Sequence, residues 1–193
     1  ELKLQLFENS GGNPAVLEQM IMFLTDYENK NKTYGSSIPK TFGETVESRI
    51  NYLKQDNPLA FQLLSAAAIQ GIKFYPAILK EVFDNTEEEI LTILNFLQTS
   101  GFIGQTNEFA YSFRNTMLWS SILDLIKTDE CFINLAEKVF AIYSKYTLSS
   151  TSMLAVIAQN LDQKLAALNI WTENIKIASY IGDTNLYIIS QKQ

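Results

Sequence analysis

Few places in this chain could supply chemistry. The first is the run Ser10-Gly11-Gly12-Asn13-Pro14, which leads into Ala15-Val16-Leu17-Glu18-Gln19-Met20. Two glycines free the backbone for a close approach, and Asn13 can cap a helix. Pro14 suits the first helical position, where its missing N–H costs nothing. Such a turn is expected to leave a row of main-chain donors facing outward. The plain alternative is an ordinary capped helix start. The second place is Arg114-Asn115, because no other Lys or Arg lies between Lys80 and Lys127. Arg114 either closes a salt bridge within the fold or faces a bound group.

Other reactive residues are scarce. The chain has no histidine, which removes His-based triads, most zinc sites and the commonest general base. Asp129 and Glu130 are adjacent, so on a helix they point to different sides and make a poor acid/base pair. The single cysteine, Cys131, excludes an internal disulfide and fits a reducing compartment. Its neighbours Phe132 and Ile133 favour a buried thiol over a nucleophile. No G-x-x-x-x-G-K-[ST] loop is present, so this chain is not expected to cradle a triphosphate by itself. Catalysis by the chain alone is not expected, and neither a catalytic residue nor a metal ligand is assigned.

The elements that must position these residues are mostly helical. With 193 residues, the chain can bury one good core or two small ones. A hydrophobic fraction of 47% against 19% charged residues describes a folded soluble protein and not a disordered one, and a cytoplasmic location is expected. No apolar run approaches the roughly 20 residues of a membrane span. The chain opens at Glu1 instead of Met, and a fragment or a processed piece of a longer protein is expected.

Leu2–Phe7 reads as the end of a helix, and Asn13–Tyr27 as a second one with Val16, Leu17, Met20, Ile21, Phe23 and Leu24 on a broad apolar face. Glu28–Lys40, with Gly35, two serines and Pro39, reads as a linker dividing this short helical piece from the next domain. Helices are then expected over Thr41–Gln55, Leu59–Ile69, Pro76–Phe83 and from Asp84–Thr86 to Ser100-Gly101. Ile72–Tyr75 is a short β-prone stretch. Phe102–Gly104 and Phe109–Phe113 alternate like the strands of a hairpin. Three helices and then a hairpin is the order of a winged helix. Phe74, Tyr75, Phe83, Phe96, Phe102, Phe109, Tyr111 and Phe113 are expected in its core, and Trp119 and Trp171 are expected in core packing too. From Asn115 onward the chain reads as helix, over Thr116–Ile126, Asp129–Tyr146, Ser152–Asn160, Asp162–Ile181 and Thr184–Ser190. The mixture Ala166, Ala167, Leu168, Trp171, Ile175 and Ala178 is similar to the first unit of a tetratricopeptide-type array.

Several of these stretches, taken together, resemble one family. Gly11-Gly12-Asn13-Pro14 resembles the GGNP(L) element in the helical lid of signal-transduction ATPases with numerous domains, the STAND class of P-loop NTPases. Ile38-Pro39 with Val46-Glu47-Ser48-Arg49-Ile50 is similar to that family's (L/I)P…(I/V)xxRL pattern before the winged helix. Leu63–Phe74 is similar to its LLxxAAvlGxxF helix and turn, and Tyr111-Ser112-Phe113-Arg114-Asn115 to its YxFRH(D/E) element. These pieces fall in the family's order over roughly residues 7 to 126. The resemblance implies a helical lid segment over 1–37, a winged-helix domain over 38–127 and a TPR-like region over 128–193. It also implies that Gly12, Asn13 and Pro14 form the lid side of an adenine site, with the proline against the base. Arg114 and Asn115 would be phosphate-side sensors. ATP or ADP would then be bound by the parent protein only, and this chain alone would hold no cofactor. The chain departs from the pattern at Asn115 and Thr116, where the family has histidine and an acid. Asn115 cannot become a cation near neutral pH, which puts diphosphate sensing there in doubt. The ATPase core itself, with its phosphate loop and acidic metal ligand, is absent from the sequence.

A winged helix also suggests DNA binding through its third helix, and here the charges argue against it. From Glu81 to Phe113 there is no Lys or Arg, against six acids: Glu81, Asp84, Glu87, Glu88, Glu89 and Glu108. Those six account for the whole net charge of −6, since the rest of the chain balances at 15 acids and 15 bases. DNA binding needs cations at the phosphates. The acidic run reads either as a well-capped, solvated helix end or as a docking surface for a basic partner or for the ATPase core. The expected function is a non-catalytic regulatory segment that relays nucleotide state to a helical sensor or effector. Its partners would be the core and effector domains of the same chain, and other proteins through the helical repeats. A winged-helix transcription regulator and a purely structural helical scaffold are the alternatives.

Overall fold

The computed structural model describes residues 2–28, 39–107, 109–129 and 132–143. Among the described residues the fold is mainly α-helical with a small antiparallel sheet. Helix α1 (Leu2–Ser10) and helix α2 (Pro14–Glu28) are followed by α3 (Phe42–Asp56) and α4 (Pro58–Gln70). Strand β1 (Lys73–Phe74), α5 (Pro76–Phe83), α6 (Glu87–Thr99), β2 (Ile103–Asn107) and β3 (Ala110–Phe113) come next, then α7 (Thr116–Ile126) and α8 (Phe132–Tyr143).

Local chemistry sets most of these boundaries. Thr41 caps α3 by accepting from the Glu44 N–H at 3.2 Å, while the Glu44 carboxylate accepts from the Lys40 N–H at 2.8 Å. Asn57 ends α3 and starts α4, its Oδ1 accepting from the Ala60 N–H at 3.1 Å with Pro58 in the first turn. Thr86 and Glu89 form a reciprocal capping box at the start of α6. The chain leaves α6 through Gly101, whose φ of +70° suits a residue without Cβ.

Helix α4 is the central element. Its residues 63–70 are all buried, as expected of a helix that is apolar on every side, and it packs against α3, α5, α6, α7 and α8. The sheet has the order β1-β3-β2, with Phe74 paired to Tyr111 and Ile103 to Phe113. The register slips between Gln105 and Asn107 near the hairpin tip. Phe74 is fully buried, stacked 6.0 Å from Tyr111 and tilted 5.7 Å from Phe113. Burying a ring of this kind contributes about 1.5–3 kcal/mol. Trp119 is half-buried against the main core, and its Nε1–H donates to the Ala68 carbonyl at 2.9 Å. A smaller core holds Leu6, Val16, Met20, Phe23 and Leu24, and Phe42 packs against both cores.

The three helices and hairpin expected of a winged helix are present, as α4, α5 and α6 with β2 and β3. One expectation needs correction. Tyr75, Phe96 and Phe109 are not core residues: Phe109, at the hairpin tip, is 75% exposed, Tyr75 is 38% exposed, and Phe96 lies off the stripe formed by Ile90, Ile93, Leu94 and Leu97. The helices flanking the Glu28–Lys40 stretch also pack against each other, α2 on α3. Asn9 adds a tie by donating to the Pro39 carbonyl at 3.3 Å. Of the expected TPR-like region, only α8 and the turn before it are described. Cys131, Glu130, Trp171 and the stretches from Ser152 onward expected to be helical lie outside the described residues.

Candidate functional site

The Ser10–Pro14 turn is built to close one helix and open the next. The Gly11 N–H donates to Glu8 O at 3.1 Å and the Gly12 N–H to Phe7 O at 3.4 Å, the Schellman pattern. It requires left-handed backbone, and Gly11 and Gly12 have φ of +56° and +73°. The Asn13 N–H then donates to Ser10 O at 3.0 Å, and Asn13 Oδ1 accepts from the Ala15 N–H at 3.0 Å. The outward-facing row of donors expected here is therefore largely spent within the turn, because Schellman closure uses the same N–H groups. Gly12, Asn13 and Pro14 are all exposed.

Arg114 and Asn115 follow β3. The Arg114 N–H donates to Phe102 O at 3.2 Å, and its exposed side chain makes no ion pair among the described residues. Asn115 is the N-cap of α7, its Oδ1 accepting from the Leu118 N–H at 2.8 Å. This gives a local reason for asparagine at that position. No hydrogen bond or ion pair among the described residues joins Gly12–Pro14 to Arg114 or Asn115. Tested against a nucleotide, the exposed Pro14 ring and the Arg114 guanidinium remain available. The main-chain donors of the turn and Asn115 Oδ1 do not.

Between these two motifs lies a buried polar junction centred on Arg49. Its side chain has no exposed surface, yet it carries a guanidinium with a fan of donors. Nε donates to Asp26 Oδ2 on α2 at 2.9 Å, one terminal nitrogen donates to Gln19 Oε1, and the other donates to Ser100 O. The guanidinium carbon also lies 4.2 Å from the centre of the Phe102 ring. Gln19 is fully buried, and its Nε2 donates to Gly101 O at 3.2 Å. Burial pushes the Arg49 pKa below its ordinary value, opposed by the charge and hydrogen bond of Asp26 and by the charge of Glu18. Even so, an arginine remains a cation at any working pH. One residue of α3 thus holds α2 and the α6–β2 turn together, and the Arg114 N–H is bonded to that turn's Phe102 carbonyl.

In the sequence, Arg49 stands out only as part of a family pattern. A physical signal is nonetheless present: Arg49 and Gln19 are polar residues set at core positions. Arg49 falls between Val46 and Leu53 on the apolar face of α3, and Gln19 between Val16 and Phe23 on that of α2.

Among the described residues, no group of three or more His, Cys, Asp or Glu is placed to hold a metal ion. No described helix is long and apolar enough to cross a membrane. Comparison of the chain with protein-family models, with curated proteins and with solved structures finds no match.

Proposed function

We propose that the chain is a non-catalytic regulatory segment of a multidomain STAND-type ATPase, relaying nucleotide state from a lid helix to a helical effector. The observation that carries this reading is the Arg49 junction. A ligand acting at Gly12–Pro14 would move the N-terminus of α2, and Gln19 and Asp26 on that helix are fastened through Arg49 to the turn at Ser100-Gly101. A shift of that helix would pull on the turn through these bonds. When bound by the parent protein, the nucleotide would supply only its presence or loss as a signal. Pro14 would pack against the base, and Arg114 would pair with phosphate as a bidentate cation.

Calorimetry with ADP and ATP on the intact parent protein tests this. Pro14→Ala is expected to weaken ADP binding about tenfold, a loss of roughly 1.4 kcal/mol. Arg114→Ala should do the same, with ATP hit at least as hard. Unchanged affinity in both variants would overturn the reading.

The second reading is a helical interaction scaffold with no nucleotide dependence, favoured by an exposed apolar groove between α5, α6 and the hairpin. The DNA-binding alternative is disfavoured, because Glu87, Glu88 and Glu89 are all exposed at the start of α6, the expected reading helix.

A further inference from the structure

Helix α3 carries two cations, and they tie it to different parts of the fold. Arg49, whose side chain has no exposed surface, donates to Asp26 on α2 at 2.9 Å. Lys54 follows about 7.5 Å further along the helix axis. Its Nζ donates to Asp129 Oδ2, between α7 and α8, and lies 5.3 Å from the centre of the Phe61 ring on α4. Asp129 in turn joins the two helices on either side of it. Its N–H donates to Ile126 O of α7 at 2.9 Å, and its carbonyl accepts from the N–H of Phe132, the first residue of α8, at 3.0 Å. Between the two cations α3 buries Ile50 and Leu53 in the main core, and a helix packed in this way moves as one piece. The two ties are unequal. Arg49 is enclosed, whereas Lys54 keeps 53% of its side chain exposed and Asp129 keeps 16%. A half-exposed pair is weak and opens while a buried one holds.

We infer that Lys54 and Asp129 form a latch through which the position of α3 is passed on to α8. With Arg49 held by Asp26, α3 is seated and Lys54 reaches Asp129. When α2 pulls on Arg49, α3 turns or slides, and the exposed pair is the first to open. That loosens the first turn of α8, which otherwise rests on α4 and α5. The route is a rigid helix with a charged tie near each end, a physical connection of the kind that carries coupling between sites. Lys54 is a positioning residue, since it acts on α8 through Asp129. The latch rests on the relay reading for the event that moves α2, but the coupling from α2 to α8 needs no nucleotide.

Amide NMR spectra of the folded 193-residue chain test this, because they read the native structure and not its overall stability. Lys54→Met keeps an apolar chain beside Phe61 and removes the donor. It is expected to displace the amide signals of Phe132–Ala136, and Asp129→Asn should displace them along the same line, as a shift between the same two states requires. Lys54→Arg retains the pair and should keep them near their wild-type positions. Asp26→Asn, on α2, should move these signals part of the way along that line. In the double variant of Asp26→Asn and Lys54→Met they should stay at the Lys54→Met positions, the latch being open already. Signals of α8 that ignore Asp26→Asn, or shifts that add in the double variant, would overturn the proposal. So would the same displacement with Lys127→Met, which removes a cation paired to Asp124 at 3.4 Å within α7. Nucleotide calorimetry on the parent protein is a separate readout. If these tests succeed and Pro14→Ala leaves ADP affinity unchanged, the latch stands and only its trigger is lost.

Discussion

Arg49 Nε donates to Asp26 Oδ2 at 2.9 Å, joining α3 to α2 across a sequence separation of 23 residues. Asp26 keeps 23% of its side chain exposed while Arg49 keeps none. The pair is therefore asymmetric, because the cation depends on the anion more than the reverse.

That asymmetry predicts the ranking of variants. Arg49→Met leaves the buried Gln19 amide oxygen and the half-buried Ser100 carbonyl without their donor and should cost about 2–4 kcal/mol in urea unfolding. Asp26→Asn removes the charge but leaves two other acceptors, so about 1–3 kcal/mol is expected. Arg49→Lys should not rescue, since one ammonium cannot span three separate acceptors. A wild-type midpoint for Arg49→Met would show the junction to be ornamental.

Gly101 combines a φ of +70° with tight packing. A Cβ there would sit 3.1 Å from Met22 Cγ. Gly101→Ala should destabilise by about 1–2 kcal/mol from backbone strain alone. Methionine is flexible and can yield, so Met22→Ala in the same chain should recover little of the loss. Full recovery in the double variant would place the cost in the contact and not in the backbone.

Asn115 presents its cap without help from charge. Asn115→Ala should cost about 1 kcal/mol, while Asn115→Asp should be neutral or better beside the positive end of α7. Thermal unfolding of the two variants reads this directly. A stable Asn115→Ala would mean that α7 is held by its packing alone.

Glu89 closes the α6 cap by accepting from the Thr86 N–H at 2.9 Å and from the Thr86 hydroxyl and the Asn85 amide. These bonds favour the ionised carboxylate and hold its pKa below the ordinary glutamate value, the Thr86 main chain contributing most. The pKa is lower when folded. The stabilisation is therefore present above the unfolded-state pKa and is lost as pH falls through the folded one. A carbon-detected titration should show Glu89 ionising below the usual range. Thr86→Ala should move it only part of the way back, since the main-chain donor stays. A return all the way would put the hydroxyl in charge.

Much of the helical frame was legible because punctuation residues mark it. Pro76 and Asp84 bracket α5, Thr86 with Glu89 opens α6, and Asn115 opens α7. These signals are local, acting over three or four residues. The exposures of Tyr75 and Phe109 were not legible, since an aromatic at a hairpin tip or before a proline has the same composition as one in a core. Phe96 could have been placed by helical angle, because Ile90, Ile93, Leu94 and Leu97 already define the buried stripe. The spent donors of the Ser10–Pro14 turn escaped because Schellman bonds reach back to Phe7 and Glu8, residues that precede the motif and were not read as part of it. Arg49 escaped for the opposite reason. Its partners are far along the chain, and two of the four acceptors at the junction belong to the main chain.

The turn after α6 meets Arg49 through Ser100 O and Gln19 through Gly101 O. Both acceptors are peptide carbonyls, which every amino acid carries. The turn is therefore recognised by its path and not by its spelling. Replacing the Ser100 side chain would leave this contact untouched, and of the alanine substitutions across the turn it is Gly101→Ala, which strains the backbone, that would disturb its hold on α2. Only changes that bend the backbone, or that remove the side chains reading it, can break the connection.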